Sequence, residues 1–286
     1  MSRSQILVIV AALAIVAVLF FLPKVVVNED DKENFTKTES AIPEGHSEDD
    51  GHDHGTGAAD AANVHMTASP EQLLELSTVR ARYNKATDDQ TRSRVAGDLA
   101  AAYATVHKYD SAGFYYEQVA MARPGEKSYK QAGDSYFDAF TYAPSQGRAS
   151  ELGAKARAMY EQVLKNNPSD LDSKTNIAMT YIATENPMQG ITLLREVITT
   201  DPNNQKALFN LGLLSMQSNQ YDKAEERFRK LVSVNPEHVE GTFYLAVSLA
   251  KTGRNEEAVT YFNKVKALSN DPDLATSVDE YLAELK

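Results

Sequence analysis

Apolar and polar residues follow three patterns in succession along this chain. Residues 6–22 are 17 consecutive apolar side chains, whereas residues 28–68 are polar and acidic. From Ser69 onward, apolar residues recur three and four positions apart, which is the spacing of one helix face, and no window alternates as a half-buried strand would. The pattern therefore predicts an all-helical region that begins near residue 69, preceded by a polar segment and an apolar one.

The apolar run predicts a transmembrane anchor at residues 6–22, after a short tail at residues 1–5. Seventeen helical residues span about 25 Å, close to the lower limit for crossing a bilayer. A cleaved signal peptide is the alternative, but its apolar core is shorter and no small-residue cleavage site follows here. A short tail with Arg3 before an anchor resembles an uncleaved export signal. We therefore expect a single-pass protein of a bacterial inner membrane, with its large domain outside the cytoplasm.

Residues 23–68 are predicted to be a disordered acidic tether. Between residues 28 and 68 the chain has eleven Asp and Glu residues against two Lys, and it has too few large apolar side chains to offset the entropy of ordering. Four histidines, His46, His52, His54 and His65, lie among these carboxylates. His52 and His54 could bind a divalent cation weakly, but their spacing matches no closed tetrahedral site, so an acidic spacer without metal is the alternative.

The helical region opens with a helix start at Ser69. Ser69 is a suitable N-cap, Pro70 suits the first helical position, and Gln72 follows the cap by three residues. We expect a helix here, ahead of the repeats described next.

Prolines mark a fixed period in the helical region. Pro168, Pro202 and Pro236 are 34 residues apart, and Pro124 precedes Pro168 by 44 residues, one period plus ten. With each proline at position 32 of a 34-residue frame, small residues recur at positions 8 and 20 and large apolar residues at 7, 24 and 27. The small residues are Ala100, Ala112, Ala178, Gly190, Gly212, Ala224, Ala246 and Ala258. Small residues let paired helices approach closely, and the proline ends the second helix.

This pattern resembles the tetratricopeptide repeat family over residues 93–267. The resemblance implies an all-α solenoid of about five helix hairpins. The expected domain, residues 69–286, comprises repeats at 93–126, 127–170, 171–204, 205–238 and 239–270, and a capping helix at 271–286. The second repeat carries about ten extra residues around Pro144, which either lengthen its helices and turn or form a functional loop.

The resemblance also implies a partner-binding groove, because the first helix of each repeat lines the concave face in this family. In the last three repeats, several groove positions hold apolar residues that do not belong to the packing pattern. Two further groove positions hold asparagines, which would bind a peptide backbone. These candidates are Asn176, Met179, Phe209, Asn210, Leu213, Met216, Phe243 and Val247. An exposed apolar stripe is typical of a binding surface. Neighbouring helices or the C-terminal helix could instead cover it, or it could support a homodimer.

A carboxylate clamp of the kind that binds chaperone tails in some family members is not expected. The positions that would form it hold Thr175, Met179, Asn210, Glu240 and Tyr244, and only Asn210 fits. Glu240 would also repel an acidic tail.

The composition and motifs argue against an enzyme and against a cofactor. The chain has no cysteine, which excludes disulfides, thiolate metal sites and a cysteine nucleophile. Its formal net charge of −11 argues against a nucleic-acid-binding surface. No phosphate loop, dinucleotide fingerprint, zinc-protease motif or nucleophile elbow is present. Carboxylates of the second helices are assigned to solvated helix faces: Glu225, Glu226, Glu256 and Glu257.

The sequence therefore predicts a membrane-anchored tetratricopeptide scaffold that mediates protein–protein interaction or complex assembly, with a protein or peptide client in its groove. Two alternatives stay open: a structural module that associates with itself without a peptide client, and weak metal binding by the tether. Membrane-anchored arrays of this kind resemble bacterial assembly factors, including helpers of cytochrome c maturation, but nothing in the sequence selects one pathway.

Overall fold

The computed structural model describes residues 68–184 and 186–285, and within these ranges the chain forms twelve helices and no β-strand. The predicted tail, anchor and tether lie outside the described residues. The helices are α1 (Pro70–Lys85), α2 (Asp89–Thr105), α3 (Tyr109–Ala122), α4 (Glu126–Thr141), α5 (Gln146–Asn166), α6 (Leu171–Ile182), α7 (Pro187–Thr200), α8 (Gln205–Gln217), α9 (Tyr221–Val234), α10 (Val239–Lys251), α11 (Asn255–Leu268) and α12 (Pro272–Glu284). Among these helices, none combines the length and the apolar character that a bilayer span requires.

Helix α1 begins where the sequence predicts. The backbone N–H of Gln72 donates to Ser69 Oγ at 3.3 Å, and the backbone N–H of Ser69 donates to Gln72 Oε1 at 2.7 Å. Pro70 occupies the first turn, where its missing N–H removes no helical hydrogen bond. This reciprocal capping confirms the predicted helix start.

Helices α2 to α11 form five consecutive hairpins, in which each helix packs against the next one in the chain. The first helices of the hairpins are α2, α4, α6, α8 and α10, and the second helices are α3, α5, α7, α9 and α11. The turns that follow α7 and α9 lie at residues 201–204 and 235–238 and contain Pro202 and Pro236. The described part of the chain is thus the all-α array of hairpins that the period predicts.

Glycine allows the closest helix contacts within this array. A Cβ atom on Gly212 of α8 would lie 2.6 Å from the ring of Phe228 on α9, and one on Gly133 of α4 would lie 2.8 Å from the ring of Tyr160 on α5. Both rings are fully buried, so neither can move away cheaply. At Gly212 this confirms the predicted role of the small residue at position 8.

Three hairpin turns contain a residue in the left-handed backbone region at the same place. These residues are His107, Asn219 and Gly253, with φ values of 59°, 56° and 79°. Glycine adopts this conformation without strain, whereas the other two need compensation. His107 Nδ1 lies 2.9 Å from the hydroxyl of Tyr109, and the Tyr221 hydroxyl donates to Asn219 Oδ1 at 2.6 Å. These side-chain hydrogen bonds hold the turns in place.

The extra residues of the second hairpin lengthen its helices. Helix α4 has 16 residues where α8 and α10 have 13, and α5 has 21 where α9 and α11 have 14. The connecting segment is only residues 142–145. Gln146, at the start of α5, donates through Nε2 to the Ala183 carbonyl oxygen beyond α6 at 2.7 Å. The first of the two interpretations therefore holds, and the insertion is not a long loop.

The largest apolar cluster joins α8 to α12. Phe228 and Phe262 are completely buried in it, and Val278 of α12 is as well. The ring of Tyr281 on α12 stacks on Phe262 with centroids 5.2 Å apart. Helix α12 thus covers apolar surface that α11 would otherwise expose, as the last helix of a repeat array must.

Candidate partner-binding groove

The first helices of successive hairpins lie side by side and form one row. Polar contacts join neighbouring members of this row, which we call the A row (α4, α6, α8 and α10). Lys130 of α4 pairs with Asp170, the N-cap of α6, at 2.9 Å. Lys206 of α8 pairs with Asp172 of α6 at 3.1 Å, and the hydroxyl oxygen of Ser248 on α10 lies 3.2 Å from the sulfur of Met216 on α8.

The second helices form a separate row, which we call the B row (α5, α7, α9 and α11). Arg229 of α9 pairs with Glu257 of α11 at 2.8 Å, which links neighbouring helices of this row as Lys206 and Asp172 link those of the A row. The array therefore has two faces, and the candidate residues of the groove all belong to the A row.

Most of the predicted apolar groove residues are partly accessible to solvent. Met179, Phe209, Leu213, Met216 and Phe243 are all half-buried, and none is among the strongly exposed large apolar residues. The stripe is therefore a shallow apolar strip on a packed surface. A partner could bury it without any rearrangement of the helices.

Val247 and part of Phe243 are already covered within the chain. Val247 is only 3% exposed and belongs to the apolar cluster of α8 to α12. The ring of Phe243 meets the edge of Tyr281 on α12 at a centroid distance of 5.8 Å. At these two positions the C-terminal part of the array covers the stripe, so the accessible strip is centred on α6 and α8.

Phe209 forms a wall of this strip through contacts with three other rings. Its ring centroid lies 5.4 Å from His238, 6.0 Å from Tyr244 and 6.1 Å from Phe228. His238 lies at the N-terminus of α10 and Tyr244 six residues further on, so Phe209 fills the junction between α8 and α10. Its position is fixed by this packing, while part of its ring still faces solvent.

The two asparagines use their amide nitrogens within the protein. Asn176 Nδ2 donates to the Tyr160 hydroxyl at 2.8 Å, and Asn210 Nδ2 donates to the backbone carbonyl of Lys206 at 2.8 Å. No donor among residues 68–184 and 186–285 reaches either Oδ1 atom at hydrogen-bond distance. Both Oδ1 atoms therefore keep their acceptor capacity within this part of the chain.

Two carboxylates of α4, Asp134 and Asp138, also belong to the A row, outside the three repeats of the predicted groove. The Tyr160 hydroxyl donates to Asp134 Oδ1 at 2.7 Å, which extends the Asn176 hydrogen bond to α4. The surrounding protein displaces water from around Asp134 and Asp138 and raises the pKa of both carboxyl groups above the ordinary value of 3.8. At Asp138 the neighbouring Asp134 charge adds to this shift.

The sequence itself indicates that these two carboxylates occupy groove positions. A frame that starts at Glu126 places Gly133 at position 8, where the other repeats also carry a small residue, although position 7 holds Ala132 in place of a large apolar residue. Asp134 and Asp138 then fall at positions 9 and 13, which are groove positions. The predicted groove covers only the last three repeats, so α4 lay outside it.

One carboxylate that was assigned to a solvated face is buried. Glu225 of α9 is 5% exposed, because Arg229 and Arg254 both pair with its oxygens. Arg254 lies in the turn before α11, so its ion pair with Glu225 forms only when the last two hairpins pack together. The prediction for Glu225 was therefore wrong, whereas Glu226, Glu256 and Glu257 are exposed as expected.

Metal ligation finds no support in the part of the chain that the structure covers. Within residues 68–184 and 186–285, no three His, Asp or Glu side chains come close enough together to hold a metal ion. The histidine cluster at residues 46–65 lies outside the described residues, so its weak metal binding stays a prediction.

Comparison with known proteins defines the class of the array. Two family models, each described as tetratricopeptide repeat, match residues 213–273 and 187–237. These ranges span α7 to α11 and the start of α12. Residues 187–273 are therefore tetratricopeptide repeats, as the period of 34 residues predicts.

The crystal structure of a tetratricopeptide repeat protein from Parabacteroides merdae has the same fold. It superposes with a TM-score of 0.55 and 16% identity, over 75% of this chain and 82% of that one. MamA from Desulfovibrio magneticus aligns with a TM-score of 0.47 and 17% identity, over 64% of this chain and 97% of that one. A 72-residue stretch is 35% identical to the protein O-mannosyl-transferase Tmtc3 of Drosophila melanogaster. The match covers 25% of this chain but spans only 8% of the length of that relative.

Proposed function

We propose that this protein is a membrane-anchored scaffold that holds an extended segment of a client protein along the A row. The observation that carries the proposal is the strip of half-buried apolar side chains, centred on Met179, Leu213 and Met216, on adjacent helices of one face. Residues that serve only the packing between helices are fully buried, as Leu211 and Phe228 are. Side chains that stay partly accessible on a rigid face gain from a partner that buries them.

The strip favours an extended segment with apolar side chains. Asn176 and Asn210 lie on adjacent helices and offer carbonyl oxygens to backbone N–H groups of such a segment. Met179 and Met216 are unbranched and adapt to different side chains, which suits a surface that binds more than one sequence. A helix bound there would leave its N–H groups satisfied internally and would not use these acceptors.

Charge argues against the chain's own tether as the occupant. Residues 28–68 carry eleven acidic side chains and two basic ones, and Asp134 of α4 is linked to Asn176 of the strip through the Tyr160 hydroxyl. Like charges on both surfaces would oppose binding of the tether. The proposed client is therefore a separate protein that is neutral or basic in the bound segment.

The proposed location and mode of action follow from the sequence beyond the array. Residues 6–22 would anchor the protein, and about 40 tether residues would give the array a reach of a few tens of ångströms from the membrane. We place the array outside the cytoplasm of a bacterial cell, where it would assist assembly of a complex. The fold is typically a non-catalytic interaction scaffold, and in this proposal no step is catalysed.

Site-specific photocrosslinking tests the proposal. A benzoylphenylalanine at Leu213, on the A row of the full chain in its native membrane, is expected to capture a discrete client band. The matched control places the same group at Thr260, an exposed residue of α11 on the B row, where no such band is expected. Capture of a second copy only, or equal capture from both positions, would refute client binding along the A row and favour the self-associating module.

A further inference from the structure

Helix α10 begins with an unusual N-cap. The backbone N–H of Gly241 donates to Nδ1 of His238 at 3.1 Å, and His238 has the extended backbone (φ −71°, ψ 96°) of an N-cap residue. At the equivalent place of α8, Asn204 has nearly the same backbone (φ −62°, ψ 106°), and its Oδ1 accepts from the Ala207 N–H at 3.0 Å. His238 therefore caps the N-terminus of α10 as Asn204 caps that of α8.

The two caps differ in their response to protons. An asparagine oxygen accepts a hydrogen bond at any physiological pH. Nδ1 of histidine accepts only while it is unprotonated, so His238 must be the neutral ring that carries its proton on Nε2. In the imidazolium form both nitrogens are donors, and the Gly241 N–H would face a second N–H in place of an acceptor.

One carboxylate lies beside the ring of His238. Its side chain is about one-fifth exposed, and Glu240 Oε2 lies 3.5 Å from Nδ1, ready to accept from an imidazolium. Glu237 precedes the cap and is exposed. Protonation would therefore exchange the cap for an ion pair with an exposed carboxylate.

The elements packed against His238 bring no other acid to the ring. On α8, Lys206 lies one turn before Phe209 and is paired with Asp172. On α9, Lys230 is exposed beside Leu231, which packs against Gly241. In the described part of the chain, Glu240 is the sole ion-pair partner of His238.

Gly241 makes the contact possible. A Cβ atom there would lie 2.7 Å from Leu231 Cδ2 and 3.3 Å from His238 Nδ1. The close approach holds the Nδ1 edge of the ring against the first turn of α10, while the ring stacks on Phe209 at a centroid distance of 5.4 Å and an interplanar angle of 28°. Any rotation of the ring toward Glu240 must therefore disturb both the first turn of α10 and the Phe209 wall.

We propose that His238 is a pH-sensitive N-cap, which holds the start of α10 and the adjoining Phe209 wall when neutral and releases them when protonated. The proposal depends on the geometry of the cap and needs no client. The C-terminal end of the A row would thus respond to mild acidification. The junction between α6 and α8 would not, because Asn204 caps α8.

Amide hydrogen exchange of the full chain in detergent tests this proposal, with protection factors corrected for the intrinsic pH dependence of exchange. At about pH 5.5, the first turn of α10 is expected to lose protection by about five-fold relative to about pH 7.5, the factor that corresponds to a typical N-cap hydrogen bond. The first turn of α8 is the internal control and should not change. The variant His238→Asn should keep the same α10 protection at both pH values.

Three results would overturn the proposal. These are unchanged α10 protection in the wild-type chain, an equal loss in His238→Asn, and an equal loss at the starts of α8 and α10. Nitrogen NMR of the histidine rings gives a second readout that does not depend on the variant's stability. At neutral pH the signal that disappears in His238→Asn should show an unprotonated Nδ1, and a proton on Nδ1 would also refute the cap.

Discussion

The C-terminal hairpins and the central hairpin share one repeat pattern but have different interiors. Helix α10 buries Leu245, Ala246, Val247 and Leu249 and takes part in a continuous cluster that runs from α8 to α12. Aromatic rings stack across it, such as Phe262 on Tyr281. These hairpins are held chiefly by apolar burial, which at about 25 cal/mol per Å² is the largest favourable contribution to folding.

Helix α6 of the central hairpin buries hydroxyl groups at three of its five buried positions. Ser173, Thr175 and Thr180 are each at most 1% exposed. Thr175 and Thr180 donate to carbonyl oxygens of their own helix at 2.7 Å, and the Ser173 hydroxyl has no partner among the described residues. Ile177 and Ala178 are the apolar residues among its five buried positions, and Leu171 and Ile182 are partly buried.

The difference shows that a repeat period specifies where helices meet, but not how strongly each junction is held. Stability in an array is the sum of terms for each repeat and for each junction. The central hairpin contributes less apolar burial, so its amides are expected to open at a lower free energy than those of α10. The accessible strip is centred on α6 and α8. It thus lies where the more stable C-terminal hairpins adjoin the less stable central hairpin.

The largest expected effect comes from removing a buried ring of the C-terminal cluster. Phe262→Ala should lower the free energy of unfolding by about 3–5 kcal/mol, because it removes a fully buried side chain and leaves a cavity. Urea unfolding of the full chain, followed by circular dichroism, measures this loss. Thr180→Ala in α6 is the matched change and should cost far less. Equal losses at the two positions would remove the contrast between the hairpins.

A smaller loss is expected from filling a close contact. Gly212→Ala should destabilise the array by about 1–3 kcal/mol, because the new Cβ would overlap the buried ring of Phe228. Gly147→Ala is the control, since a Cβ in the first turn of α5 meets no atom within 4 Å, and a gain of about 0.5 kcal/mol is expected there. Thermal unfolding of both variants would reveal the difference, and a stable Gly212→Ala protein would contradict the packing.

The central hairpin should gain stability when its unpaired hydroxyl is removed. Ser173→Ala is expected to raise the free energy of unfolding by about 1 kcal/mol, because the buried Oγ lacks a partner and alanine favours the helix. The matched change is Ser215→Ala, where the hydroxyl donates to the Leu211 carbonyl at 2.9 Å and accepts from Arg227. That variant should lose stability. A loss in Ser173→Ala would show that the hydroxyl has a partner after all.

The smallest expected effect concerns the carboxyl group of Asp138 on α4. The pKa of Asp138 is raised above 3.8 because the protein displaces water around it, so the folded state binds this proton more tightly than the unfolded state does. The contribution of Asp138 to stability is therefore highest below pH 3.8 and declines as pH rises through its raised pKa. Asp138→Asn should unfold with a higher midpoint than the wild type at neutral pH, and the advantage should vanish in acid. A constant difference at all pH values would contradict this assignment.

The sequence predicted the features that repeat. The proline period located the hairpins, the small residue at Gly212 marked a close contact, and Ser69 marked the first helix. Each of these depends on a local requirement of the backbone or on contact between chain neighbours, so a single sequence reveals it.

Features that depend on three-dimensional neighbours were not predictable in the same way. Glu225 is buried because Arg254, in a turn 29 residues away, closes over it. Val247 lost its place on the accessible strip because the C-terminal cluster surrounds it. The donors of Asn176 and Asn210 are used within the protein, which no count of positions reveals. The carboxylates of α4 were not among the candidates because the predicted groove covers only the last three repeats.

The absence of cysteine permits a direct test of whether a separate client occupies the A row. Leu213→Cys and Thr260→Cys each introduce one thiol into the full chain, on the A row and the B row, and maleimide labelling rates report their accessibility. We predict that the thiol at 213 reacts several times more slowly in native membranes than in the purified protein, and that the thiol at 260 reacts equally in both. Equal rates at 213 in the two preparations would contradict client binding, and slow labelling at 213 in the purified protein as well would assign the strip to self-association.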